Sequence, residues 1–151
     1  MIKPVVNGRL TSPYGDRILN GKKQFHPGID LGSDEEFPIV YNVYTGKVHI
    51  AGLSSTFGWR VWVKLTEGPF EGLYAVYAHM LNLAPGIKDG VEVEEGQALG
   101  IMGNTGLSFG KHLHFEIRTK PDTTGKSINP EEVANAYVKK KPIVKELTLR
   151  A

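Results

Sequence analysis

Two histidines one residue apart, His112 and His114, stand in the stretch GNTGLSFGKHLHFEIR at residues 103–118. Read as a strand with period two, Leu113, Phe115 and Ile117 take one face, and His112, His114 and Glu116 take the other. An apolar face for a core and an imidazole pair on the reverse is a costly way to build an ordinary strand. Imidazole binds metals and moves protons near neutral pH, so the pair points to chemistry. Gly103, Gly106 and Gly110 precede it in a loop whose backbone can turn or approach closely. Earlier, FHPGIDLG places His26 and Asp30 four apart. Pro27 and Gly28 argue against a helix there, which leaves the pair on an extended or looped segment. His79 closes the run LYAVYAHM, where alternation puts it on the face of Tyr77, Ala75 and Leu73. His49, between Val48 and Ile50, reads as an ordinary polar-face strand residue.

Taken singly, each histidine has a structural explanation; as a set with Asp30 they say more. The chain has no cysteine, so any metal must be held by His, Asp or Glu. Zinc accepts neutral imidazole nitrogens and carboxylate oxygens, with three protein ligands and one open position in catalytic sites. A His, an Asp and a second His satisfy that, and the remaining histidines are free for proton transfer. Spacing alone does not say which member of the His112/His114 pair is the ligand.

The elements that must position these groups read as short strands. Strand-like runs cover Phe37–Tyr44, Gly46–Ala51, Trp59–Leu65 and Leu73–His79. In WRVWVKL, Trp62 lies on the otherwise polar face and reads as a covered core aromatic. VEVEEGQALG gives two short strands around a Glu95-Gly96 turn, and YNVYTGKVHIAG is a faint echo of that strand–glycine–strand pattern. Residues 1–24 look irregular, with turns at Ser12-Pro13-Tyr14-Gly15 and Asn20-Gly21. Glu131 and Glu132 after Asn129-Pro130 start at most a short helix, and residues 139–151 form a basic, then alternating tail.

Composition fits one domain of 151 residues with 18 glycines, 9 prolines, 40% hydrophobic and 23% charged residues, neither disordered nor membrane-embedded. A net charge of +2 gives no electrostatic reason to expect nucleic acid. No run approaches the ~18 apolar residues of a membrane span. The N-terminal stretch MIKPVVNGRLTSPYG has no signal-peptide core.

With those residues in view, the chain resembles the lysostaphin-like and LytM-like zinc endopeptidases of bacterial cell walls. The resemblance covers about residues 8–131 and rests on His26-Pro27-Gly28-Ile29-Asp30, Tyr77-Ala78-His79 and His112-Leu113-His114, in that order. The GQALG turn before the glycine loop and the later Asn129-Pro130 also match. The resemblance implies a mainly all-β, two-sheet antiparallel fold with a duplicated hybrid motif and a metal site in a surface groove. It implies one Zn²⁺ per chain held by His26, Asp30 and His114, with His79 and His112 catalytic. The implied function is hydrolysis of peptide stems or cross-bridges of bacterial peptidoglycan through a metal-activated water, by a monomer acting at the wall, outside the cell or in the periplasm. Residues 132–151 are then a C-terminal extension of a single peptidase domain.

Departures from the family pattern fall in the loop Ser108-Phe109-Gly110-Lys111 and in the acidic run Ser33-Asp34-Glu35-Glu36. Phe109 and Lys111, with Tyr77, are the expected substrate contacts. The lack of a leader suits a phage lysin or virion-associated peptidase, or a secreted enzyme without its leader. A second reading is an inactive relative that activates wall hydrolases or serves as a peptidoglycan-binding module, disfavoured because all five metal and catalytic positions are filled. A carrier domain is a third, disfavoured because residues 91–102 hold no lysine to modify.

Overall fold

The computed structural model describes residues 3–131, and all twelve elements among them are β-strands. The first four are β1 (Arg9–Ser12), β2 (Gly15–Leu19), β3 (Lys22–His26) and β4 (Ile29–Gly32). The middle of the chain forms β5 (Ile39–Tyr41), β6 (Gly46–Ser54), β7 (Gly58–Leu65) and β8 (Tyr74–Leu83). Then come β9 (Glu92–Val93), β10 (Ala98–Met102), β11 (Leu113–Arg118) and β12 (Ser127–Ile128). The short helix expected after Asn129-Pro130 falls, beyond Glu131, outside the described residues, as does the tail from residue 139.

Ten strands form one antiparallel sheet, ordered β1-β4-β11-β8-β7-β6-β9 along its main path; β5, β10 and β12 join at its sides. The second sheet is the β2-β3 hairpin, so the architecture is the two-sheet β fold expected from the sequence. Alternation organises the core as expected: Leu113, Phe115 and Ile117 of β11 are fully buried beside Ile29, Val61, Val63, Ala75 and Tyr77. Each buried Val, Leu, Ile or Phe side chain contributes about 1.5–3 kcal/mol by leaving water. Trp62, 4% exposed, is covered.

Two stretches differ from the sequence reading. Within residues 1–24, read as irregular, lie β1 and most of the β2-β3 hairpin, which runs on to His26 and turns at Asn20-Gly21, where both residues have positive φ. The hairpin stands off the core with both faces largely exposed, so no apolar alternation marks it. The strands on either side of Glu95-Gly96 form, yet β9 pairs with β6 while β10 pairs with β5 and β8. Pairing of Tyr41 with Ala98 and of Gly46 with Val93 lays the two echoing segments antiparallel to one another.

Asn42, fully buried, bridges those segments by donating to the carbonyls of Tyr44 and Glu94. Its side-chain oxygen accepts from the Tyr77 hydroxyl at 3.0 Å, and that hydroxyl accepts from the Val43 backbone N–H at 2.9 Å. Tyr77 is 0% exposed, and burial raises its phenol above the ordinary range. The ring expected to touch substrate is therefore sealed in the core.

Removing the hydroxyl leaves a buried acceptor and a buried donor without their partner, which costs about 1–3 kcal/mol. Tyr77→Phe should lower the free energy of unfolding by that amount in urea titration. An unchanged midpoint would show that the pairing with Asn42 and Val43 carries no weight.

Candidate metal centre

Antiparallel pairing sets the first two groups of the site. Strands β4 and β11 run in register with Asp30 opposite His114, so both side chains project from the same side of the sheet. His26 ends β3, and the His26–Asp30 segment crosses close over β11. A Cβ added at Gly28 would lie 2.4 Å from the Phe115 carbonyl oxygen, so only glycine permits that approach. The crossing also covers the reverse face of β11, where alternation alone predicts exposure: His114 is 9%, Glu116 1% and Arg118 7% exposed.

The three groups meet through single atoms. His26 Nε2 lies 3.3 Å from His114 Nδ1 and 3.3 Å from Asp30 Oδ1, and His114 Nδ1 lies 3.0 Å from Asp30 Oδ1. A tetrahedral zinc ion with ligand bonds of about 2.0–2.2 Å holds its donors about 3.3–3.6 Å apart. The triad thus has the donor set of a metal site, and its two distances from His26 already match that spacing, while His114 and Asp30 stand slightly closer. Asp30 turns its other oxygen to Arg17, 3.4 Å from a guanidinium nitrogen.

The outer nitrogen of each ring is held by a group that accepts hydrogen bonds. His26 Nδ1–H donates to the Pro13 carbonyl at 2.8 Å, which leaves Nε2 with its lone pair facing the triad. His114 is held the other way round: its Nε2–H donates to Glu116 at 2.6 Å and its Nδ1 faces inward. Glu116 also accepts from the Arg118 side chain. It is a buried partner of His114 and not a surface ion pair, a role that its place two residues beyond His114 on the same face had allowed. A carboxylate on the far nitrogen fixes the tautomer and raises the basicity of a ligating imidazole.

His112 and His79 complete the cluster. His112 precedes β11, donates from Nδ1–H to the Gly110 carbonyl at 2.7 Å, and brings Nε2 to 3.6 Å from Asp30. The His79 ring centroid is 5.0 Å from that of His112 and 6.0 Å from that of His114. Simple alternation would put His79 with Tyr77 in the core. A bulge intervenes: Trp59 opposes Met80 while Val61 opposes Tyr77, so Ala78 and His79 together face Arg60. His79 takes φ of 63°, and the bulge turns its ring to the His114 side. Its Nδ1–H donates to the Thr105 carbonyl at 2.7 Å.

The structure therefore brings His26, Asp30, His79, His112 and His114 together in one groove. It does not bring Tyr77 there. Phe109, three residues before His112, is 91% exposed. The Lys111 ammonium donates to the carbonyls of Glu35 and Glu36, strapping the acidic loop to the glycine loop. Sequence reasoning passed over Arg17, Thr105 and Pro13. For Pro13 and Thr105 the acting group is a backbone carbonyl, which no side-chain pattern reveals.

Charge follows the same geometry. Burial works against ionising Asp30, but its interactions with His114 and then with His26 outweigh it and hold the carboxyl well below the usual range. Burial likewise opposes charge on His114, yet Asp30 and Glu116 push it up to about 9. His79 is lowered, mainly by burial. Without a metal, one proton on His114 stands between the converging acceptors; a cation would replace it.

The family model described as Peptidase family M23 matches residues 24–130. The DD-carboxypeptidase/endopeptidase Mpg of Neisseria meningitidis serogroup B is 30% identical over 137 residues, which cover 88% of this chain and 29% of Mpg. The chain thus spans under a third of the length of the first curated relatives it matches. A mutant catalytic domain of the prophage-encoded M23 protein EnpA from Enterococcus faecalis is 33% identical with a TM-score of 0.66, over 83% of this chain and 90% of that one. The catalytic domain of the antimicrobial peptidase lysostaphin from Staphylococcus simulans is 26% identical with a TM-score of 0.71, over 85% and 93% of the two chains.

The raised value at His114 predicts how metal affinity varies with pH. Below about 9 the ring is charged, so a divalent cation must displace its proton, and affinity rises with pH until that proton is lost. Binding of Co²⁺, followed by its visible absorption, should tighten about tenfold per pH unit between about pH 7 and 9 and then level off. A flat profile would contradict a protonated His114 in the metal-free protein.

Proposed function

The chain belongs to peptidase family M23, and from that premise we propose that it is a zinc-dependent endopeptidase that cuts peptide stems or cross-bridges of bacterial peptidoglycan. The observation that carries this reading is the triad of His26, Asp30 and His114, whose donor atoms stand 3.0–3.3 Å apart with their rings' outer nitrogens occupied. One zinc per chain, bound there, would supply a Lewis acid that activates water and polarises a carbonyl.

The chain's own residues do the remaining work. His79 and His112 both keep a proton on Nδ1 through a carbonyl, which leaves Nε2 of each as the working atom. Burial keeps His79 neutral near pH 7, so its Nε2 takes a proton. Together the two rings receive the proton of the attacking water and return one to the departing amine. Arg17 holds the second oxygen of Asp30, and Phe109 at the groove's rim offers an apolar surface to the substrate.

The protein acts on the wall, outside the cell or in the periplasm, as a monomer. Similarity to a prophage-encoded M23 protein supports a lytic, phage-derived origin.

His114→Ala should lose stoichiometric zinc and all hydrolysis. His112→Ala should keep one zinc while turnover falls about 10²–10⁴-fold. Mass spectrometry of digested peptidoglycan identifies the bond cut. Full hydrolysis by chelator-stripped protein would sink the metal mechanism. Wild-type protein that binds zinc but releases no fragments from diverse walls would favour the activator reading.

A further inference from the structure

The proton-transfer histidines share a feature that the metal ligands lack: both lean on one loop. The glycine loop supplies the Thr105 carbonyl to His79 and the Gly110 carbonyl to His112, each at 2.7 Å from Nδ1. For His79 the support is elaborate. The Thr105 hydroxyl donates to the Met80 carbonyl at 2.6 Å and accepts from the Trp59 N–H at 3.0 Å. Met80 follows His79, and Trp59 is its partner across the bulge, so one hydroxyl pins the loop to both strands where the ladder is broken.

The packing there leaves no slack. A Cβ at Gly58, where φ is +65°, would lie 2.2 Å from the Thr105 hydroxyl oxygen. The same atom at Gly106, with φ of +76°, would lie 2.3 Å from the Gly58 nitrogen. Leu107 N–H also donates to the Thr56 carbonyl, so the loop is tied again two residues after Thr105. His79 itself occupies left-handed backbone space, a strained conformation for a non-glycine residue that persists only where its surroundings hold it.

We propose that Thr105 is a positioning residue that holds His79 in its Nδ1–H tautomer with Nε2 aimed into the groove, through its carbonyl on the ring and its hydroxyl on the bulge. A carbonyl only accepts, so His79 must carry its proton on Nδ1 to make the observed bond. A ring set this way meets its substrate with a lone pair already in place. The inference rests on the reading of His79 as a proton-transfer residue.

The test uses the full-length, zinc-loaded chain. Long-range ¹H–¹⁵N correlation NMR should show wild-type His79 as the Nδ1–H tautomer. Thr105→Val keeps the shape and removes the hydroxyl; it should bring in the Nε2–H form and lower kcat about 10–100-fold, with KM and zinc content unchanged. Thr105→Ser, which retains the oxygen, should restore both readouts. Wild-type His79 found as Nε2–H would overturn the proposal before any variant is made, as would Thr105→Val with wild-type tautomer and kcat. The spectrum requires no turnover, so it decides the role of Thr105 independently of whether peptidoglycan is cut.

Discussion

Four imidazoles crowd one carboxylate, and the site depends on what holds their far sides. Pro13, Thr105 and Gly110 offer carbonyl oxygens, and Glu116 offers a buried carboxylate. With each outer nitrogen committed to donate, the inner nitrogen is left as an acceptor. His26 does this with Nδ1 outward and His114 with Nε2 outward, so the common rule is the inward lone pair and not a common ring orientation. Acceptors that converge to 3.0–3.3 Å repel unless something positive lies among them. The cluster is thus electrostatically incomplete by construction, and a proton or a cation completes it.

Holding acceptors in that arrangement takes buried charge, which is expensive. Glu116, 1% exposed, is compensated by Arg118 on one oxygen and His114 on the other, and Arg118 is itself tied to the Gly125 carbonyl at 3.2 Å. Such a pair adds little net stability, since desolvation consumes most of the attraction. Its effect is directional: the guanidinium fixes the carboxylate and the carboxylate fixes the ring.

Much of this could be read from residue types. Imidazoles on the reverse of an apolar strand at His112–His114, and the His26–Asp30 segment barred from helix by Pro27 and Gly28, stand out because side chains carry the signal. The core face of β11 followed from alternation. Three kinds of information were beyond that reach. The β2-β3 hairpin has no apolar face, so period two leaves no trace in it. The bulge at His79 is an irregularity of backbone pairing, and it reverses the face that alternation assigns. Backbone carbonyls at Pro13, Thr105 and Gly110 look the same in every sequence. Tyr77 shows the converse: proximity in sequence to His79 suggested a role in the groove, but it lies on the core side of the same strand.

The register of β4 against β11 also carries a consequence for the order of events during synthesis. Asp30 and His114 are 84 positions apart, yet they are direct neighbours across the ladder. Closing so long a loop is slow and gains nothing until both strands pair. A nascent chain therefore emerges with His26 and Asp30 but without His114, and the triad is incomplete until β11 has left the ribosome. On the proposed function, metal capture waits on the pairing of these strands, so an ion cannot lock the amino-terminal segment into a wrong arrangement before the sheet exists to correct it.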